Sequence, residues 1–253
     1  MLPYQEKIIS EILSATPIQG ARILEIGGTP PWTVANKLIE MGAKSVTSIN
    51  YRSDLENLRI SDSIDFYNID ARIMSSVLKE KYDLIFGIAV IEHLPNLETI
   101  LGECVKILNT NGRIALHGAA FWSSNLGHHV FVHIDKARYE FNANNPIDDF
   151  SHIYFSKQEM ETHLIEVKQL PATHAAAIVN YIYDNPILNR YHYEDILSSY
   201  KRAGLEFSYF RHSNWKTPTS DTLDRIQARL GPYFSQIYNN YSCGELLLIA
   251  SVN

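Results

Sequence analysis

Ile23-Leu24-Glu25-Ile26-Gly27-Gly28 is a short apolar run that ends in a carboxylate and then breaks into glycine. A run of this length and apolarity reads as a buried strand that delivers Glu25 to its carboxyl end. Two glycines then let the backbone turn sharply and approach a ligand with no Cβ in the way. A dinucleotide fingerprint counted from Gly27 would need glycines at 29 and 32, where the chain has Thr29 and Trp32. Pro30 and Pro31 also remove two backbone N–H groups from the start of the following helix, where a phosphate would be held. The pocket that begins here is therefore built for a ligand without phosphates.

Further segments follow in the same order of strand, turn and helix. Ser45-Val46-Thr47-Ser48-Ile49 ends at Asn50-Tyr51, and Ile64-Asp65-Phe66-Tyr67-Asn68-Ile69 leads to Asp70-Ala71-Arg72. Tyr82-Asp83-Leu84-Ile85-Phe86-Gly87 runs through Ile88 into Glu92-His93-Leu94-Pro95, and Asn111-Gly112 turns into Arg113-Ile114-Ala115-Leu116-His117-Gly118. Residues 33–42, 53–59, 73–80 and 97–109 read as the intervening helices. Tyr4 to Ser14 reads as an amphipathic helix over the pocket or the sheet edge, and 205–211, 220–230 and 246–252 as a strand, a helix and a last strand. Strands alternating with helices predict parallel pairing, right-handed crossovers and a doubly wound α/β fold.

These segments resemble the class I S-adenosylmethionine-dependent methyltransferases, whose first motif is usually E/D-x-G-x-G-x-G. Glu25 and Gly27 match it, Gly28 supplies the second glycine one place early, and Thr29 and Pro31 stand where the family has glycine. The resemblance covers about residues 20–120 well. It implies a Rossmann-like seven-stranded sheet with an insertion between strands 5 and 6, the last strand antiparallel between its neighbours, and S-adenosyl-L-methionine as cofactor. It implies cofactor contacts at Glu25, Gly27 and Gly28, and at Asn50-Tyr51, where the family carries an acid for the ribose hydroxyls and Asn50 can accept from one of them. Asp70-Ala71 resembles the adenine-binding turn, with Asp70 accepting from the exocyclic amine, although an Asp after a strand is also a routine turn former. Ile88 and His93 complete the implied cofactor set. The Asn/Asp-Pro-Pro-aromatic motif of amide and adenine-amine methyltransferases is absent after the fourth strand, which reads Gly87-Ile88-Ala89-Val90.

The length of 253 residues fits one α/β domain, with core residues 16–120 and 205–253 and an insertion at about 121–204. A net charge of −6 argues against a nucleic-acid partner, because phosphate neutralisation by Lys and Arg dominates such binding. Cys104 and Cys243 have neither metal nor disulfide spacing and read as small buried hydrophobes. With no signal peptide and no apolar run of membrane-spanning length, the expectation is a cytoplasmic protein with no membrane insertion.

The insertion is where the methyl acceptor is expected, because ligands of open α/β sheets sit outside the carboxyl ends of the strands. It opens with Phe121-Trp122-Ser123-Ser124-Asn125-Leu126-Gly127-His128-His129-Val130-Phe131-Val132-His133. Read as extended chain, this puts His128 and His129 on opposite faces, so one of them is the expected general base; Trp122, His117 and His133 are the expected acceptor contacts. The same alternation disfavours a metal, and none is expected. The Gly-His-His after a Trp/Ser-rich loop also resembles methyltransferases of bacterial surface-polysaccharide pathways. That points to a sugar-linked or phosphorylated small molecule of capsule or lipopolysaccharide synthesis as acceptor. A non-catalytic S-adenosylmethionine-binding partner subunit and an NAD-dependent oxidoreductase are the alternatives.

Overall fold

The computed structural model describes residues 1–252. Its central sheet has eight strands, taken here in chain order: β1 (Arg22–Ile26), β2 (Ser45–Asn50), β3 (Leu58–Ser61), β4 (Ile64–Asn68), β5 (Tyr82–Gly87), β6 (Leu108–Ala119), then β9 (Leu205–Asn214) and β10 (Cys243–Val252); β7 (Phe131–Ile134) and β8 (Ala137–Glu140) form a separate hairpin. The order across the sheet is β3-β4-β2-β1-β5-β6-β10-β9. β1, β2, β4, β5 and β6 pair in parallel, so their carboxyl ends share one edge of the sheet. The fold is the doubly wound α/β arrangement expected. It carries one strand more than the seven expected, because the segment expected as a helix at 53–59 instead turns back and pairs Leu58 with Phe66 antiparallel at the sheet edge.

The described residues divide into two compact units: 1–118 with 197–211 and 246–252, and 119–196 with 212–245. In the first, helix α1 (Pro3–Ala15) starts with proline at its first turn and buries Ile8, Ile9 and Ile12 in a core with Ile23, Phe66, Leu84, Phe86, Leu247 and Ile249. Each of those isoleucines contributes about 1.5–3 kcal/mol by leaving water. Glu11 receives Arg211 Nε at 2.6 Å, which pins the helix to β9. α2 (Thr33–Glu40), the short α3 (Met74–Val77) and α4 (Leu97–Ile107) are the crossover helices.

In the second unit, after the one-turn α5 (Ser151–Tyr154), α6 (Lys157–Glu166) and α7 (Ala172–Asp184) pack with the β7–β8 hairpin around Val130, Met160, Leu164, Ile178 and Ile182. α6 follows a complete capping box, Ser156 Oγ taking Glu159 N–H while Glu159 reaches back to Ser156 N–H. A smaller core joins Phe150, Ile153, Ile226 and Tyr241. The hairpin and α7 are elements that sequence periodicity did not resolve. Among the described residues, no helix is long and apolar enough to cross a membrane.

Candidate active site

β1 has β2 on one side and β5 on the other, which is the point where the strand order reverses and a crevice opens at the carboxyl ends. Gly27 leaves β1 with φ of +86° and donates its N–H to Ile49 O at 2.8 Å. A Cβ on Gly27 would lie 2.7 Å from Val90 Cγ1, and one on Gly87 would lie 2.5 Å from Val90 Cγ2. Both glycines thus make room for the turn after β5. Gly28 is tighter still, since a Cβ there would sit 1.7 Å from Ser48 Oγ and 2.6 Å from Glu25 Oε2.

These residues open on a cavity of about 340 Å³, lined by Glu25, Gly27, Gly28 and Ile88, by residues 29–34, and by Met1, Leu2 and Gln5 at the start of α1. That volume lies within the range of small-molecule sites. Glu25 is buried, and burial pushes its carboxyl up to about 7, against the opposing effect of the 2.9 Å hydrogen bond that Ser48 Oγ donates to it. Near neutrality the group is poised between acid and carboxylate, so a cation placed beside it would draw off the proton. Across the lining, Trp32 precedes α2 in the left-handed conformation and provides no side-chain cap. The first N–H groups of α2, on Thr33 and Val34, therefore have no intrahelical acceptor. A buried acid and free backbone donors at one cavity suit the ammonium and carboxylate of an amino acid, which is the methionyl end of S-adenosylmethionine.

The other expected cofactor residues stand differently. Asn50 is committed to the glycine turn: its Nδ2 donates to Gly28 O at 3.1 Å and its Oδ1 accepts Tyr51 N–H at 2.8 Å. Tyr51 itself is exposed. Asp70 precedes a one-turn 3-10 helix at Ala71–Ile73, accepts Arg72 N–H at 2.8 Å, and is gripped by the Arg72 guanidinium, which holds its carboxyl below the usual range. His93 closes another such turn after β5, at Ile91–His93. Of the nine expected cofactor residues, four line the cavity: Glu25, Gly27, Gly28 and Ile88. The helix expected over the pocket or the sheet edge contributes Gln5 to the lining, whereas the α2 start and the Ser48 bond escaped the sequence reading. Ser48 was within reach of it, because parallel pairing sets Glu25 opposite Ser48.

His117, expected to touch the acceptor, is buried near the end of β6, where Nδ1 accepts Ala89 N–H at 3.0 Å. Ala89 has φ of +54°, so His117 braces a left-handed turn directly after β5.

In the second unit, the segment before β7 is not extended, and the alternation expected for His128 and His129 fails. Successive turns run through it, with Ser124 N–H on Phe121 O, Gly127 N–H on Ser124 O and His129 N–H on Leu126 O. His128 is fully buried: Nδ1 accepts Val130 N–H at 3.1 Å and Nε2 lies 3.3 Å from Asn145 Nδ2. Burial, then the neighbouring His152 and His129, holds its basicity well below that of a free imidazole. His129 has φ of +49° and stacks on Phe141 with ring centroids 4.5 Å apart. His133 meets Glu140 across the hairpin at 3.0 Å. Trp122 is half-buried, edge-on to His152 at 4.8 Å, with the Arg190 guanidinium 5.9 Å over its ring. His152 was not singled out from the sequence. It donates Nε2–H to Trp122 O at 2.8 Å, and burial drives its pKa down to about 3.

Residues 32–116 match the family model described as a methyltransferase domain. No curated protein sequence matches the chain. Among solved structures, an S-adenosylmethionine-dependent methyltransferase from Mesorhizobium loti is similar over 97% of this chain and 95% of its own, with a TM-score of 0.54 and 13% identity. A Listeria monocytogenes protein classed with the S-adenosylmethionine-dependent methyltransferases is similar over 98% and 99%, at 0.53 and 10%. The 4+2 cyclase SpnF is similar over 98% and 81%, at 0.51 and 13%. The fold is thus the Rossmann-like one of methyltransferases, and the cofactor that the matched domain implies is S-adenosylmethionine.

Proposed function

We propose that this chain transfers a methyl group from S-adenosylmethionine to a small polar acceptor. The observation that carries the reading is the buried Glu25 carboxyl at a glycine turn, facing a cavity at the switch point of the sheet. S-adenosylmethionine, when bound, supplies an electrophilic methyl carbon. The chain's own part is to orient: Glu25 takes the ammonium, Thr33 and Val34 N–H groups take the carboxylate, and the Gly27-Gly28 turn allows close approach. In-line displacement from a sulfonium needs alignment above all.

On the acceptor side we infer a small molecule, and within that class a sugar-linked or phosphorylated metabolite of surface-glycan synthesis, methylated on oxygen or nitrogen. The support is the aromatic and imidazole-rich segment 121–133 together with a net charge unsuited to nucleic acid. Proton removal by His128 is disfavoured by its burial and weak basicity, which leaves His129 as the candidate base. A second reading, binding without catalysis, is favoured by one observation: Asn50 and Asp70 already spend their polar atoms inside the protein. Calorimetry with S-adenosylmethionine and with NAD, followed by mass spectrometry of candidate sugar nucleotides for a gain of one methyl, separates these. Binding of S-adenosylmethionine with methyl gain supports the proposal; binding without any gain supports the partner subunit; preference for NAD overturns both.

A further inference from the structure

The β5–β6 ladder closes with Gly87 opposite Leu116, and the next residue on β6, His117, takes hold of the departing chain twice. Its Nδ1 accepts Ala89 N–H at 3.0 Å, and its carbonyl accepts Val90 N–H at 3.0 Å. A neutral imidazole that accepts at Nδ1 carries its proton on Nε2, so the first bond fixes the tautomer. His117 is buried, and Ala89 stands at φ of +54°, a conformation that a residue with a Cβ keeps only where its surroundings over-determine it. This clasp aims the next side chain. Val90 lies across β1 and β5 where Ile26 pairs with Gly87, its Cγ1 2.7 Å from the place of a Cβ on Gly27 and its Cγ2 2.5 Å from that of one on Gly87. Gly27 lines the cavity, and so does Ile88, the residue just before the clasp.

We infer that His117 is a positioning residue of the cofactor cavity, acting through the 89–90 turn on the lining residues Gly27 and Ile88. The inference rests on the S-adenosylmethionine reading above. His117 is not itself among the lining residues, so its part is geometric. Without an acceptor at the place of Nδ1, Ala89 N–H loses its partner and the turn relaxes toward the negative φ that a residue with a Cβ prefers. Val90 then leaves the groove between the two glycines, and the wall formed by Gly27 and Ile88 loses its support. A ligand must restore that wall in order to bind, which lowers its affinity although no contact to it has been removed.

The test uses Asn and Gln to separate the two ring nitrogens, because Asn Oδ1 falls where Nδ1 stands and the Gln amide reaches toward the place of Nε2. S-adenosylhomocysteine binding is measured by calorimetry on the full chain, on His117→Asn and on His117→Gln, with circular dichroism and melting curves reporting folding. His117→Asn is expected to stay within about threefold of the wild type, and His117→Gln to bind at least about tenfold more weakly. A side chain that only fills space predicts the opposite order, since Gln is nearer to His in size. Equal losses, no loss, or a larger loss in His117→Asn overturns the inference. Two measurements on the wild type decide the matter even where a variant does not fold. Nitrogen NMR should show His117 as the Nε2–H tautomer, and S-adenosylhomocysteine should slow hydrogen exchange at the Ala89 and Val90 amides by about threefold or more, as coupling between ligand and clasp requires. An Nδ1–H tautomer, or exchange indifferent to the ligand, overturns the inference alone. A wild type that binds no S-adenosylhomocysteine overturns it together with the cofactor reading, so the two failures are distinguishable.

Discussion

The two units bury ionisable groups of opposite kinds. In the first, the group that burial disturbs most at the cavity is an acid, Glu25, raised to about 7 and held by one hydroxyl. The second holds three disturbed imidazoles: His128, His152 and His192 are all buried, and burial is the leading cause of lowered basicity in each. The second unit also encloses polar atoms with no hydrogen-bond partner in the protein, among them Ser124 Oγ, Asn125 Oδ1, His152 Nδ1 and His192 Nδ1. A buried acid and buried bases respond to pH with opposite sign. One chain therefore contains a site relieved by acid and an interior damaged by it.

The largest expected effect is acid lability of the second unit. Each of the three imidazoles is less basic folded than unfolded, so its neutral form is fully compatible with folding above about pH 6.5, and stability is lost as pH falls below that value. For His152, with a folded pKa of about 3, the loss at pH 5 is about 2 kcal/mol, and His128 and His192 add to it in the same direction. Melting curves at pH 8, 6 and 5 should drop steeply between the last two. A midpoint that stays level from pH 8 to pH 5 would show these imidazoles to be solvated and the contrast between units to be false.

Glu25→Gln probes the other half. The folded carboxyl is raised, so its contribution is fully favourable below the unfolded value near 4.5 and is lost as pH rises through 7. At pH 8 the buried charge costs about 3 kcal/mol, because burial raises the group from its ordinary 4.5 to about 7. Gln keeps the acceptor for Ser48 Oγ and removes the charge. The variant is expected to melt higher than wild type at pH 8, equally at pH 4.5, and to bind S-adenosylmethionine at least tenfold more weakly. Higher stability with unchanged binding would remove Glu25 from the site while leaving its burial intact.

The two halves also differ in how far the letters reveal them. Around β1 the chain is regular: Ile23 to Gly28 announces a strand and a turn, the same pattern recurs to residue 118, and parallel pairing follows from the alternation. Local periodicity carries that information. The extra edge strand at 58–61 escaped because Leu58, Arg59, Ile60 and Ser61 are mostly exposed, so burial imposes no pattern on them. Beyond residue 119 the constraints become tertiary. The left-handed His129, the Trp122 carbonyl bonded to His152 thirty residues on, and the Tyr191 carbonyl that accepts Trp122 N–H have no local signature. Spacing places Asn50 and Asp70 correctly at strand ends, yet it could not show that Gly28 and Arg72 already occupy them.

Asn50→Asp sharpens this last point with a smaller effect. A carboxylate at 50 would restore the acid usual in the resembled family, which by that logic should hold ribose hydroxyls better. The structure argues the reverse, because Nδ2 ties Gly28 O at 3.1 Å and a carboxylate has no hydrogen to give. Losing that bond and setting a negative oxygen against a carbonyl should cost about 1–2 kcal/mol in stability and loosen the glycine turn. Denaturant titration and calorimetry together check it; tighter S-adenosylmethionine binding in Asn50→Asp would mean that the turn tolerates the change and that position 50 faces the ribose after all.

The smallest effect is expected at His133, where the second unit is open rather than enclosed. His133 Nε2 meets Glu140 Oε1 at 3.0 Å on the β7–β8 hairpin, beside the exposed ring of Phe131, and the His133 side chain is 39% exposed. A cross-strand contact of this kind, well solvated, contributes little beyond the register that Val132 and Tyr139 already set by packing in the hairpin's core. His133→Gln should therefore shift unfolding by less than about 0.5 kcal/mol and leave methyl transfer within twofold. A tenfold loss of turnover with unchanged S-adenosylmethionine affinity would instead put the hairpin at the acceptor. The functional part of the second unit would then be its solvated rim, and the buried imidazoles would serve only its folding.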